Sequence, residues 1–480
     1  MTKSITVIFF VFAFFASSAS IAQDRIELKK SDKLTGKVID GKSVREATGN
    51  VHFVQGNVNV YCDDALQYID ENKIELRGNV KIFQDTLSLF TSKAIYYGGE
   101  RRAICEGTVT LKDPNATLRA NSGIYFFNEA KAHFIGDVII VNPAYRIISD
   151  ELTYFRNTEN SFAKGNVVVT NDSAVIKAEN IDFFKQQGKT FAHKNVSLES
   201  DSSIIYSDTL TDYSNEKKSI ASGNVKIFNL RNNLLVKGNY AENYDRTKYS
   251  FVKGNASLIQ VENDKDTLFI YSNILETFRQ TPSMYKAKEN VEIIRGNFLA
   301  KSDTAVFSKT LVDTLDIISL FPGPVIWQDN LQLTADSVYA EILNNKLSFL
   351  YAKKIEGLAG SKISFMILAN EDKYFADRYD QITGNDIKII FSNDSVKSVD
   401  VYKDSESIYF TYDRKKANGV NLSEGENMFI TFMNNKVIKI KVDKNPKGQY
   451  VPEAKIKEVQ LRLPGFNLRN DKPVRKTTTN

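Results

Sequence analysis

One four-residue phrase returns every 29 residues through the first half of this 480-residue chain. It reads TGNV at 48–51, RGNV at 77–80, EGTV at 106–109, IGDV at 135–138, KGNV at 164–167, HKNV at 193–196 and SGNV at 222–225. Its third slot falls at Asn50, Asn79, Thr108, Asp137, Asn166, Asn195 and Asn224, then loosens to Asn255, Asn290 and Pro324 at intervals of 31, 35 and 34. A second phrase keeps the same beat and ends in an aromatic at Tyr68, Tyr97, Phe126, Phe155, Phe184 and Tyr213. Insertions and deletions would erase such phase-locking unless each repeat were one structural unit stacked on the next. Length alone suggests about three independent domains. The repeat replaces that count with one series of ten related units.

Side chains inside each unit alternate with period two. Ile74, Leu76, Gly78, Val80 and Ile82 share one parity against Glu75, Arg77, Asn79 and Lys81. One unit later the same row reads Ala103, Cys105, Gly107, Val109 and Leu111, then Ala132, Phe134, Gly136, Val138 and Ile140. Such alternation is a strand with one apolar and one wet face. A glycine recurs in the middle of the apolar row, with Lys194 and Glu289 as exceptions, where a strand interior ordinarily disfavours it. A bend at this glycine would fold each strand into a V, apolar face inward. Polar clusters such as Asp113-Pro114-Asn115 and Asp70-Glu71-Asn72-Lys73 supply the turns. The expectation is an all-β chain with two antiparallel strands per unit, on the order of 100 Å of ladder at ~4.8 Å per strand.

Candidates for chemistry dissolve into the repeat. With 3 His and 2 Cys, the composition argues against metal clusters and His-driven catalysis. Cys62 and Cys105 occupy ordinary small and apolar slots, with a disulfide between them left open after export. His52, His133 and His193 sit at three different phases of the repeat. Asp63, Asp150, Glu179, Asp208, Asp303 and Asp336 recur unit after unit, whereas an active site is needed once. Bonding to backbone at a bulge is the expected role of these acids. Trp327 takes the inward slot equivalent to Ile82. No phosphate loop, dinucleotide fingerprint or nucleophile elbow appears, so no enzyme, metal, cofactor or nucleic-acid role is expected.

The ends differ from the body. Lys3, the apolar run Ile5–Ala16 and Ser20-Ile21-Ala22 form an export signal over residues 1–22, cleaved before Gln23. After about residue 345 the period fades into divergent strands, 346–443, that continue or cap the stack. Residues 444–480 form a basic tail holding four of nine prolines and a net charge of +6, against +5 for the whole chain. Leu463-Pro464-Gly465-Phe466 within it reads as a docking phrase or as part of a solvated tail.

The GNV strand, followed by a small-Asp-x-apolar-x-x-aromatic strand such as Ser207–Tyr213, resembles the OstA/LptA family of periplasmic lipopolysaccharide-transport proteins. The resemblance covers residues 45–345 and places the repeat domain at 23–345. It implies an elongated β-jellyroll, or β-taco, whose apolar interior holds the acyl chains of lipid A. Val80, Ile82, Val109, Leu111, Val138, Ile140, Val167, Val169, Val196, Leu198, Val225 and Ile227 would line that groove. It also implies a periplasmic bridge or adaptor, peripheral to the inner and outer membranes. Its partners would be lipopolysaccharide or a related glycolipid, and other Lpt-type components added at open strand edges. Two alternatives stand beside it: an exported structural or adhesive β-solenoid with a self-packed core, and a parallel β-helix enzyme acting on polysaccharide.

Overall fold

The computed structural model describes residues 25–476 except 115, 232, 264–265, 310–314, 344–345, 358–359, 371–372, 393–394, 414–415 and 434–435. The export signal at 1–22 lies outside the described residues. The chain divides into two compact units, one ending at Asn157 and one beginning at Thr158. Both are built from antiparallel strands joined mostly by tight turns, with short 3-10 turns in the second unit as the helical content.

The strands bend where the sequence places glycine, by a definite device. Gly78 and Asn79 both have positive φ, 73° and 41°. Along strand Lys73–Gln84 the pairing with Leu87–Tyr97 jumps from Arg77↔Lys93 to Val80↔Thr91, so two residues oppose one. This is a β-bulge, which kinks a strand and restores the parity of its faces beyond the kink. Ile74, Leu76, Val80 and Ile82 are all buried on one side. The same pair of left-handed residues recurs at Gly165-Asn166, Gly223-Asn224 and Gly254-Asn255. Lys194-Asn195 and Glu289-Asn290, the two units without the glycine, adopt it as well, with φ of 64° and 63° at the first residue. Ladder hydrogen bonds on both sides outweigh the roughly 1 kcal/mol that a β-carbon costs there.

Two of the recurrent acids, Asp63 and Asp208, hold these corners through side chains, a correction to the backbone bonding expected from sequence, whereas Asp336 does accept backbone N–H groups, from Ile355 at 2.8 Å and Lys362 at 2.9 Å. Asn79 Nδ2 donates to Asp63 Oδ2 at 2.8 Å, and Asn224 Nδ2 donates to Asp208 Oδ2 at 3.0 Å. The roles are exchanged where Asn121 Nδ2 donates to Asp137 Oδ2 at 2.9 Å and Asn273 Nδ2 to Glu289 at 2.7 Å. A β-carbon added to Gly78 would run into the Asp63 carboxylate that the corner requires. Gly78→Val is therefore expected to destabilise by about 2–4 kcal/mol, combining left-handed strain with that collision. Gly36, with nothing near its missing β-carbon, is the control position. Equal denaturation midpoints for Gly78→Val and Gly36→Ala would refute this account.

The phrase-ending aromatics face outward and alternate with cations. Lys73 Nζ lies 3.9 Å from the Tyr68 ring centre, Arg102 4.9 Å from Tyr97, and Lys189 5.5 Å from Phe184. Cation–π contact accounts for the large apolar residue on the wet face.

Beyond residue 345 the corner persists without its sequence signature: Lys403-Asp404 and Lys444-Asn445 have φ of 63°, 55°, 61° and 54°. Strand Lys447–Pro452 pairs with Lys416–Met433, and a 3-10 turn at Glu453–Glu458 follows. Residues 459–476 then run as an extended strap. Val459, Leu461 and Leu463 pack on the buried cluster Ile408, Phe410, Val420 and Val451. Two buried glutamines clasp its backbone. Gln381 Nε2 donates to Leu461 O and its Oε1 accepts from Leu463 N, both at 2.9 Å. Gln332 Nε2 donates to Asn467 O and its Oε1 accepts from Arg469 N, both at 2.8 Å. Phe466 of the docking phrase lies against Phe365 and Tyr379, with Arg462 4.0 Å above its ring.

Trp327 is not inward. Its neighbour Ile326 pairs with Ala300 and Leu333, extending the interior row, while Trp327 pairs with Leu299 and Gln332 and shares the face that the strap covers. The Pro322-Gly323-Pro324 connection shifts the phase by one residue, and a one-residue shift exchanges the two faces.

Candidate functional site: an open groove in the second unit

Each bent strand has an apolar floor near the bulge and two arms, and the two units treat those arms differently. In the first unit the arms close on each other. The row Phe53, Val60, Ile82, Leu89, Leu111, Leu118, Ile140 and Ile147 is paired strand to strand and buried throughout. Tyr96 and Tyr125 on the other arm are equally buried. Tyr96 Oη donates to Gln55 Oε1 at 2.6 Å while Gln55 Nε2 donates to Gly98 O at 2.9 Å, and Tyr154 Oη donates to Asp113 at 3.2 Å. These tyrosines fill the interior, and Tyr96 and Tyr154 clasp its mouth through their hydroxyls.

The second unit carries the equivalent apolar row as Ile176–Leu198–Ile205–Ile227–Val236–Leu258, each paired directly with the next. From Ile176 to Val236 every member is half-exposed. The reason is legible in one slot. Counting by repeats from Tyr96 gives Tyr125, Tyr154, Phe183, Asp212 and, past one insertion, Asn243. The tyrosine that fills and clasps the interior is replaced by shorter polar side chains. The floor remains buried, with Ile181, Ala192, Leu210, Ala221 and Ala241 along one side and Ala178, Val196 and Val225 along the other. The result is an apolar groove along strands Ala174–Phe184 to Leu234–Tyr244. At Leu258 and Ile270 the apolar row enters a cleft of about 810 Å³, part of it open to solvent, with Leu234, Ile293, Phe298 and Phe307 also on its walls.

The residues expected to line a groove fall into two groups. Val80, Ile82, Val109, Leu111, Val138 and Ile140 are buried within the first unit, and Val167, Val169, Val196 and Val225 are buried in the floor or arm of the second. Leu198 and Ile227 are half-exposed on the open arm. Ile176, Ile205 and Val236, on the alternate strands, belong with them and were not singled out by the GNV phrase. Their signal was the strand opposite that phrase, at the residue two before the small slot.

The remaining chemistry is structural. Cys62 and Cys105 are free thiols, buried, and burial pushes both up to about 12, far from thiolate reactivity. His52 stacks on Tyr61 with ring centres 4.2 Å apart, His133 Nδ1 lies 3.1 Å from Thr153 Oγ1, and His193 stacks on Phe191. Among the described residues no group of three or more His, Cys, Asp or Glu is placed to hold a metal, and no helix is long and apolar enough to cross a membrane.

Burial shifts one acid into the neutral range. Asp380 accepts the Phe410 N–H at 2.9 Å, and desolvation pushes its carboxyl up to about 7. The folded chain therefore holds a proton that the unfolded chain, with a carboxyl pKa of about 3.9, has already lost between pH 4 and 7. Its contribution to stability is full below about pH 4, falls as pH rises toward 7 and levels off above. Asp380→Asn is expected to flatten that part of the stability–pH curve in urea titrations from pH 4.5 to 8; parallel curves would show the group to be ionised throughout.

No curated protein matches the chain. Among solved structures, similarity is found to LptH, the LptA-homologous periplasmic component of the lipopolysaccharide transport device of Pseudomonas aeruginosa. That alignment has 14% identity, covers 28% of this chain and 74% of LptH, and has a TM-score of 0.15. Residues 23–179 match the family of OstA-like proteins. That stretch, about a third of the chain, is similar to OstA-like proteins.

Proposed function

We propose that this chain is an exported, periplasmic carrier that holds the acyl chains of a lipopolysaccharide-type glycolipid in the open groove of its second unit. The observation that carries the reading is the half-exposed row Ile176, Leu198, Ile205, Ile227 and Val236 over a buried floor. A run of paired aliphatic side chains left partly open in a well-packed β protein is an acceptor for apolar surface, at about 25 cal/mol per Å² removed from water. The OstA-like match of residues 23–179 supports a transport role, and the resemblance of the repeats to lipopolysaccharide-transport proteins supports the choice of cargo class. The clasped interior of the first unit favours a scaffold or docking role there, with any Lpt-type partner added at a strand edge.

Photocrosslinking in the native cell tests the reading. A benzophenone side chain at Leu198, Ile227 or Val236 should yield lipid adducts, whereas one at Tyr206, exposed on the opposite face, should not. Clean protein at all three groove positions, with normal folding and export, would overturn the assignment.

A further inference from the structure

The two lips of the groove are chemically unlike, and this deepens the reading just given. Opposite the aliphatic row, the outer row of the other arm runs Thr190–Asp212–Ser219–Asn243–Ser250, each paired directly with the next. Each lies two residues from a buried floor residue, Ala192, Leu210, Ala221, Ala241 or Val252 in turn, so strand parity turns all five to the interior side. All are half-exposed. In the first unit the same slots hold Ile74, Tyr96, Ala103, Tyr125 and Ala132, all buried. In the open stretch hydrogen-bonding residues fill five consecutive inward slots, whereas the polar Gln67 of the same series in the first unit is buried and donates to Ile26 O at 3.0 Å. Within the row Ser219 Oγ donates to Asp212 Oδ1 at 2.7 Å, which leaves further acceptor capacity on the carboxylate. At the far end Arg279 Nη1 donates to Ser250 Oγ at 3.0 Å and lies 3.8 Å from Asp245.

We propose that this row is the polar half of the binding site, and that the groove takes an acylated sugar lying lengthwise, chain against Ile176–Val236 and sugar hydroxyls against Thr190–Asn243. Hydroxyls can donate to Asp212 and exchange bonds with Thr190, Ser219 and Asn243. A phosphate at the middle of the row would face the Asp212 carboxylate, so charge complementarity selects an uncharged polar group there. A bare hydrocarbon would leave the row desolvated and unpaired.

The test uses the full mature chain and two probes of equal chain length, dodecyl maltoside and dodecyl phosphate, each below its micelle concentration. Isothermal titration should show the maltoside binding about tenfold more tightly, the scale of one unpaired or repelled polar group. Asp212→Asn, which removes the charge, should raise phosphate affinity several-fold and so narrow the gap between the two probes. Asp212→Leu with Asn243→Leu should lower maltoside affinity about tenfold. Equal affinities for the two probes, or no response to either variant, would overturn the polar-lip assignment while leaving the groove intact. Failure of both probes to bind would instead overturn the groove itself.

Discussion

Deletion of residues 459–480 is expected to shift the emission of Trp327 strongly to the red and to lower the stability of the second unit by about 5 kcal/mol. The magnitude follows from two contributions. Val459, Leu461 and Leu463 cover a buried cluster of Ile408, Phe410, Val420 and Val451, and each aliphatic burial lost costs about 1 kcal/mol when partial. Gln332 and Gln381 are 3% and 0% exposed, and each would exchange two backbone partners for water, at about 0.5 kcal/mol net per hydrogen bond. Trp327 is the chain's single tryptophan, 2% exposed and on the face of Gln332, so fluorescence reports the uncovering directly. Gln381→Ala in the full chain should reproduce part of the loss without removing any strap residue. An unchanged spectrum and melting temperature for the truncated chain would show that the strap lies on a surface stable without it.

The second large effect is expected from restoring the missing tyrosines. Asp212→Tyr with Asn243→Tyr places in the open stretch the residue that fills the first unit at Tyr96 and Tyr125. The added rings should occupy the space between the aliphatic row and the opposite lip. Binding of an apolar dye such as N-phenylnaphthylamine should then fall more than about tenfold, the loss expected for burying roughly one aromatic less of ligand surface. The variant should be at least as resistant to urea as the parent, because half-exposed Ile205 and Ile227 gain a partner. Undiminished dye binding in a folded variant would mean that the dye, and by extension an acyl chain, uses some other surface. The same outcome would remove the physical basis for assigning cargo to strands Ala174–Phe184 through Leu234–Tyr244.

Much of this was legible from the repeat. Period-two alternation across Ile74–Ile82 assigned strands and their buried face, and the recurring glycine marked the kink, because a left-handed corner is cheapest for a residue without a β-carbon. What failed did so for identifiable reasons. Asp63 and Asp208 were assigned to backbone because Asp and Asn usually bond locally. Their actual partners, such as Asn79 for Asp63, are 16 residues away and meet only when strands stack. Trp327 was placed on the wrong face because a proline-rich connection slipped the phase by one. The glutamine clasps were invisible, since Gln332 and Asn467 are 135 residues apart and neither sits in a motif.

Within the regular repeats the sequence by itself determined the strands, the unit length, the position of the bends and the chemistry of each face, because these depend on side-chain parity and backbone propensity within a few residues. Whether the apolar face is a packed core or a groove depends instead on what lies across the V. The buried valines of the GNV phrase read alike in both units. Only the three-dimensional structure shows that tyrosines close one interior and that Asp212 and Asn243 leave the other open. It alone places the C-terminal residues as a strap on the outer face. Contacts across the fold decide exposure, and exposure decides which of several identical stripes can hold a ligand.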